Sequence, residues 1–404
     1  MKNIMNVALG IASSIGGFLD VGAIATAALA GAAFGVQMLW VLVLGTLCVM
    51  FLTEMVGRLA CVSHHSLVDA VRERCGFRYF SFLLIGELFV DLLVLAAEIG
   101  GVAVALHLLT GIDYRWFVPL VAFALWLLIW LGTFSIVQNG VSLLGLITLA
   151  FVVGMWWMGP PWHEAMKAMV PSAPTHDAAK YWFTAVGIIG ALFEPFMLNF
   201  YSSGAIEEKW SVKDIAMNRV TAALGMGFGA VIAVSIVMLS ALTLGPHGIQ
   251  VDSYEQAALM MVQPFGAWGI PLFAACLGIA CFGASLQVAL NLSYLFSQGF
   301  GWHWSENLRP HDDARFALVY TLAIPVGAML VIMLGDPLQI TTFSMALNAL
   351  LAPVIVFPLL ILMNDRHYLR EYRNHAVANI FVSAIVVIAF LIAIVAIPLE
   401  VLGG

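Results

Sequence analysis

Apolar residues run along the chain in blocks of about twenty or more, the length a helix needs to cross hydrocarbon. Short clusters of charged residues, glycine and proline separate the blocks. This patterning predicts eleven membrane-spanning helices, at approximately 9–36, 37–60, 79–109, 115–134, 139–158, 182–206, 217–245, 263–298, 314–334, 337–363 and 376–400. No soluble domain is predicted, and residues 1–404 are expected to form one transmembrane unit.

The polar positions between the blocks fix an orientation. Assigned alternately to the two sides, Lys2, Arg58, Arg72, Arg74, Arg78, Lys209, Lys213, Arg219, Arg309, Arg315, Arg366, Arg370 and Arg373 share the side of the N-terminus. Only Arg115, Lys167 and Lys180 lie opposite. By the positive-inside rule the N-terminus is cytoplasmic, and an odd number of spans puts the C-terminus outside. With 62% hydrophobic and 10% charged residues, the composition is that of a polytopic membrane protein, and the cytoplasmic (inner) membrane is its expected location. Met1-Lys2-Asn3 leads into the first span without an early small-residue cleavage site, so that span is expected to be retained. No long basic run calls for nucleic acid, and Cys48, Cys61, Cys75, Cys276 and Cys281 lack zinc-like spacing. No serine elbow, phosphate loop or dinucleotide fingerprint is present, so neither an enzyme nor a bound cofactor is expected.

Two blocks are interrupted. In span six, Gly190-Ala191-Leu192-Phe193-Glu194-Pro195-Phe196-Met197-Leu198-Asn199 places a carboxylate beside a proline. Pro195 has no N–H for the Ala191 carbonyl, so an unpaired carbonyl and an ionisable side chain fall together. Each costs several kcal/mol in hydrocarbon and is tolerated only where it meets protein, water or an ion. In span one, Ser13-Ser14-Ile15-Gly16-Gly17-Phe18-Leu19-Asp20-Val21-Gly22-Ala23 gathers three glycines around Asp20. Each weakens a helix by about 1 kcal/mol relative to alanine. Paired interruptions at corresponding places in two halves point to the midplane site of a secondary transporter. The expected architecture is an inverted five-plus-five repeat, about 9–158 and 182–363, with broken helices one and six and an extra C-terminal helix at about 376–400.

Other acids sit in spans two and three. Glu54 precedes Arg58 by four residues, the favourable order for a helical ion pair. Glu87, Asp91 and Glu98 share one helical face. Glu87 and Asp91 are expected near the cytoplasmic end, solvated or paired with arginine. Glu98 lies deeper, before Gly100-Gly101, and is a candidate for a proton or coupling role. His163 and His176, in the longest outside loop, read as ordinary surface histidines.

The order of these features resembles the Nramp divalent-metal transporters, which have the LeuT-type fold. The resemblance covers nearly the whole chain. Asp20-Val21-Gly22-Ala23, followed by Ala30 to Gly35 and Leu39-Trp40, is similar to the family's Asp-Pro-Gly-Asn break and its continuation. Gly86-Glu87-Leu88 through Glu98-Ile99-Gly100 looks like the third helix, and Phe193-Glu194-Pro195-Phe196 stands in place of Met-Pro-His. Ser297-Gln298-Gly299-Phe300, and Pro353 to Ile361 followed by Asp365-Arg366, match further along.

Carried over by position, the resemblance implies a metal site at Asp20, Ala23 and Glu194 with the carbonyls of Gly17 and Ala191. Here the family's asparagine is Ala23, its methionine Glu194, its histidine Phe196 and its third-helix aspartate Leu95; its span-ten glutamine is Met345, with Asn348 one turn on. Exchanging a soft sulfur for a carboxylate favours a hard divalent ion, magnesium or manganese, and Ala23 leaves room for a partly hydrated one. The expected function is secondary transport of such an ion into the cytoplasm, with weak or altered proton coupling through Glu98 and Glu194, by a monomer. The alternative keeps the fold and changes the cargo to an organic cation or amino acid, its amine held by Glu194 and Phe196.

Overall fold

The computed structural model describes residues 20–131, 144–306 and 308–402, and every regular element among them is helical. In chain order the helices used below are α1 (Val21–Phe34), α2 (Leu39–Ser63), α3 (Leu67–Cys75), α4 (Phe77–Thr110), α5 (Tyr114–Trp130), α6 (Leu149–Trp157) and α7 (Ala178–Leu192). After them come α8 (Pro195–Glu207), α9 (Ile215–Thr243), α10 (Gly269–Phe300), α11 (Ala314–Leu334), α12 (Pro337–Asn364) and α13 (Ala376–Leu402).

Among the described residues eight spans are long and apolar enough to cross a membrane: α2, α4, the α7–α8 pair, and each of α9 to α13. Three shorter apolar helices, α1, α5 and the Gly145–Trp157 segment that ends in α6, accompany them. Spans one, four and five of the expected eleven run partly outside the described residues. The chain is thus an all-α membrane protein.

Burial sorts the helices by role. Most of the apolar window of the α7–α8 pair, 78%, is buried inside the protein, against 28% for α13. The most apolar span therefore faces outward, as lipid contact requires, and the least apolar one is enclosed. The inner layer is α1, α4, α7–α8, α10 and α12. The largest interfaces join α10 to α4, α1 to α9, α12 to α4 and α7 to α12. In lipid these contacts gain nothing from water exclusion, so they depend on close packing and interhelical hydrogen bonds. Gly190 of α7 shows how close the packing is: the Met345 carbonyl of α12 stands where a Cβ would be. Ser240 Oγ of α9 donates to the Ala28 carbonyl of α1 at 2.7 Å, and Tyr79 Oη of α4 donates to the Val354 carbonyl of α12 at 2.6 Å.

The expected Glu54–Arg58 pair is present. Arg58 Nη2 lies 3.0 Å from Glu54 Oε2, and the guanidinium also donates to the Tyr372 carbonyl and to Asn374. All five cysteines are free thiols; four are buried and Cys75 is half-buried.

Candidate functional site

Both interruptions place a carboxylate at the start of a helix. Asp20 is the N-cap of α1, in an extended conformation, and its Oδ1 accepts from the Ala23 N–H at 2.7 Å. A capping side chain of this kind satisfies one of the four N–H groups that a helix start leaves unpaired. Glu194 is the N-cap of α8, with Pro195 in the first helical position, where a missing N–H costs nothing. The Glu194 side chain makes no capping bond. In α7 the Phe193 N–H closes on Ile189 at 2.8 Å, so the helix ends there and Ala191 belongs to its last turn, among carbonyls without an intrahelical partner.

The two carboxyls are buried, Asp20 at 2% and Glu194 at 3% exposure, and close enough to interact directly. Asp20 Oδ2 and Glu194 Oε1 have no hydrogen-bond partner. Two helix N-termini, each the positive end of a dipole, thus hold two carboxylates with free oxygens in a closed interior. Ala23 is buried beside them and supplies only its N–H to Asp20. Gly17 lies outside the described residues. Among the described residues no group of three or more His, Cys, Asp or Glu side chains is arranged to hold a metal. An ion between Asp20 and Glu194 would need backbone carbonyls or its own water to complete its shell.

Glu98 of α4 joins this site in a way the sequence does not announce. Its Oε1 accepts from the Val21 N–H at 3.2 Å, while Oε2 has no hydrogen-bond partner. Valine in the place of the family's proline is what makes that N–H available. The Cys281 thiol of α10 lies beside Glu98 as well. Met345 of α12, which the sequence places at the family's span-ten glutamine position, is a second neighbour. Its sulfur occupies the space that a side chain on Gly22 would need, and the Asn348 amide points at the same sulfur from 3.8 Å.

Glu87 and Asp91 require a correction. They are fully buried rather than solvated, and their partners are amides rather than arginines. Asn199 Nδ2 of α8 donates to Glu87 Oε1, and Asn291 Nδ2 of α10 donates to Asp91 Oδ2 at 2.9 Å. The partners lie 112 and 200 residues away in sequence, so helical spacing on α4 alone had no access to them.

The far ends of α1 and α8 are tied by loops. His176, expected to be an ordinary surface histidine, has Nε2 3.0 Å from the Ala33 carbonyl and its ring stacked on Phe34. At the end of α8, Glu207 accepts from Ser305 Oγ at 3.1 Å and from the Glu306 N–H at 3.2 Å. Tyr294 Oη donates to Glu306 Oε2 at 3.1 Å. Desolvation, with Glu207 and Glu208 nearby and against the pull of the Tyr294 bond, pushes the Glu306 carboxyl up to about 7.

Residues 11–398 match the family model described as natural resistance-associated macrophage protein-like, or Nramp. The chain is 26% identical over 359 residues to the divalent metal cation transporter MntH of Brucella suis, with 85% of this chain and 77% of that one covered. It is also 26% identical to MntH of Aeromonas hydrophila, covering 90% and 88%. Among solved structures, the manganese transporter of Eremococcus coleocola superposes with a TM-score of 0.80 at 19% identity, covering 97% of this chain and 85% of that one. A nucleobase-cation-symport-1 family transporter follows at a TM-score of 0.60 and 14% identity, which likewise speaks for the fold.

Proposed function

Because the chain belongs to the Nramp family, whose members are membrane transporters and not enzymes, we propose that it carries a divalent metal cation across the membrane through a site between Asp20 and Glu194. The observation that supports this reading is the meeting of two helix starts with buried carboxylates whose Asp20 Oδ2 and Glu194 Oε1 have no hydrogen-bond partner. Two formal negative charges match a divalent ion. Oxygen donors alone suit magnesium or manganese, hard cations that accept carboxylates, carbonyls and water. The carbonyls of Gly17 and Ala191 complete the set, and the small Ala23 leaves room for a water on the ion.

The eleven spans form two inverted repeats with α13 added outside them, and the N-terminus faces the cytoplasm of the inner membrane. Transport runs inward as a monomer, with weak or altered proton coupling. The sequence lacks the family's histidine and third-helix aspartate, at Phe196 and Leu95, and keeps Glu98. Two carboxylates held together away from water share a proton when no ion lies between them, so protonation can empty the site without a dedicated relay.

Manganese and magnesium uptake into proteoliposomes tests the site: Asp20→Asn and Glu194→Gln are each expected to abolish it. Full uptake by either variant would sink the assignment. A lumenal pH dye in the same vesicles reads coupling, and stoichiometric acidification during influx would overturn the weak-coupling part alone.

A further inference from the structure

Just over one helical turn beyond Glu194, on α8, stands Asn199, and two turns from Glu98, on α4, stands Asp91. With Glu87 and Asn291 they form a buried cluster that the central site does not use. Glu87, Asp91 and Asn291 are fully excluded from solvent and Asn199 is 2% exposed. Glu87 Oε2, Asp91 Oδ1 and the Asn291 side-chain oxygen have no hydrogen-bond partner. The unpartnered amide oxygen is the telling atom, because the nitrogen of the same Asn291 amide is already committed to Asp91. An apolar interior that keeps three such oxygens together leaves several kcal/mol uncompensated unless a cation or protons meet them.

We propose that Glu87, Asp91, Asn199 and Asn291 form a second binding site for a hard divalent cation, with oxygen donors only. In the arrangement seen, Asn199 and Asn291 each turn the amide nitrogen toward a carboxylate. A half-turn of each amide plane replaces the N–H donors with carbonyl oxygens, so the same four side chains offer two carboxylates and two neutral oxygens to an ion. Magnesium and manganese fit this set, and the absence of sulfur and imidazole disfavours softer metals.

A chain of buried polar groups runs from the cluster toward one end of the bundle. Ser203 Oγ donates to the Asn199 carbonyl at 2.8 Å, Gln298 Nε2 to Ser203 Oγ at 2.8 Å, and Ser66 Oγ to Gln298 Oε1 at 2.8 Å. Ser66 Oγ also lies 3.1 Å from Asp69, at the partly exposed start of α3. An ion leaving Glu194 toward that end therefore meets polar groups at each step. The second site stands by itself; only its place on the ion's route rests on the transport reading.

The test is manganese binding to the purified full-length chain in lipid nanodiscs, read by loss of the free-ion electron paramagnetic resonance signal. The wild type is expected to bind two equivalents. Glu87→Gln combined with Asp91→Asn keeps side-chain shape and is expected to lose one equivalent while retaining the other. Asp20→Asn combined with Glu194→Gln is expected to lose the other. A count unchanged from wild type in the Glu87/Asp91 variant overturns the second site. An unchanged count in the Asp20/Glu194 variant instead overturns the central one. Where the double variant does not fold, Asn291→Ala keeps both carboxylates and is expected to weaken one equivalent by about tenfold, as loss of a metal-site partner does; wild-type affinity retained for every equivalent would overturn the proposal.

Discussion

The two helix starts are built by different means. At Asp20 the helix start is held by hydrogen bonds: the aspartate caps its own helix through Ala23, and the next N–H, on Val21, is taken by Glu98 of a neighbouring helix. At Glu194 the break is held by covalent structure, since Pro195 starts the new helix and the glutamate caps nothing. One carboxylate therefore does structural work and the other is free of it. Glu194 is thus the group whose chemistry can change without disturbing the fold, and Asp20 is the one whose loss is felt twice.

The sharpest way to separate the two is to remove each carboxyl. Asp20→Ala and Glu194→Ala are both expected to reduce metal uptake by about 100-fold or more, as loss of a charge facing the ion implies. Only Asp20→Ala is expected to lose stability as well, by about 1 kcal/mol for the missing cap. Thermal melts in detergent read the difference, and an equal drop in both variants would erase the distinction between the helix starts. A smaller effect comes from Glu194→Met, which returns a thioether to the site. It is expected to raise the cadmium-to-magnesium uptake ratio by about tenfold, soft donor for soft ion, and a constant ratio would deny Glu194 any part in selection.

Val21→Pro carries the hydrogen-bonded helix start toward the covalent kind. It deletes the N–H that Glu98 accepts, so a loss of about 1–2 kcal/mol is expected. If the melting temperature is unchanged, the Glu98 bond contributes nothing to holding α1. The smallest effect belongs to the far end of α8. Glu306, raised to about 7, holds a proton in the folded protein that it would release near 4.5 when unfolded. A carboxyl raised by folding contributes its stability at pH below the unfolded value, and that contribution fades as pH rises toward 7. The melting temperature is therefore expected to fall by roughly 2–4 °C between pH 5 and 8 on this account, and Glu306→Gln is expected to flatten the fall. A slope identical in wild type and variant would assign it to other groups.

What could be read from the sequence followed a physical rule at each point. Pro195 announces the second break because a missing N–H is a local fact, and Glu54–Arg58 announces itself because four residues make one turn. The all-helical membrane class follows from the length of the apolar blocks. Other features depend on which helices become neighbours, and no spacing encodes that. Glu98 on the Val21 N–H, Met345 over Gly22, and Asn199 and Asn291 on the acids of α4 all pair residues from distant spans. Glu87 and Asp91 were misplaced for the same reason: an acid at a given height on a helix looks alike whether it faces water or two amides.

Gly190 has a mechanical consequence. With the Met345 carbonyl seated against its backbone, α7 and α12 have no side chain between them at this point. A side chain placed at this glycine would wedge the two helices apart one turn from Glu194.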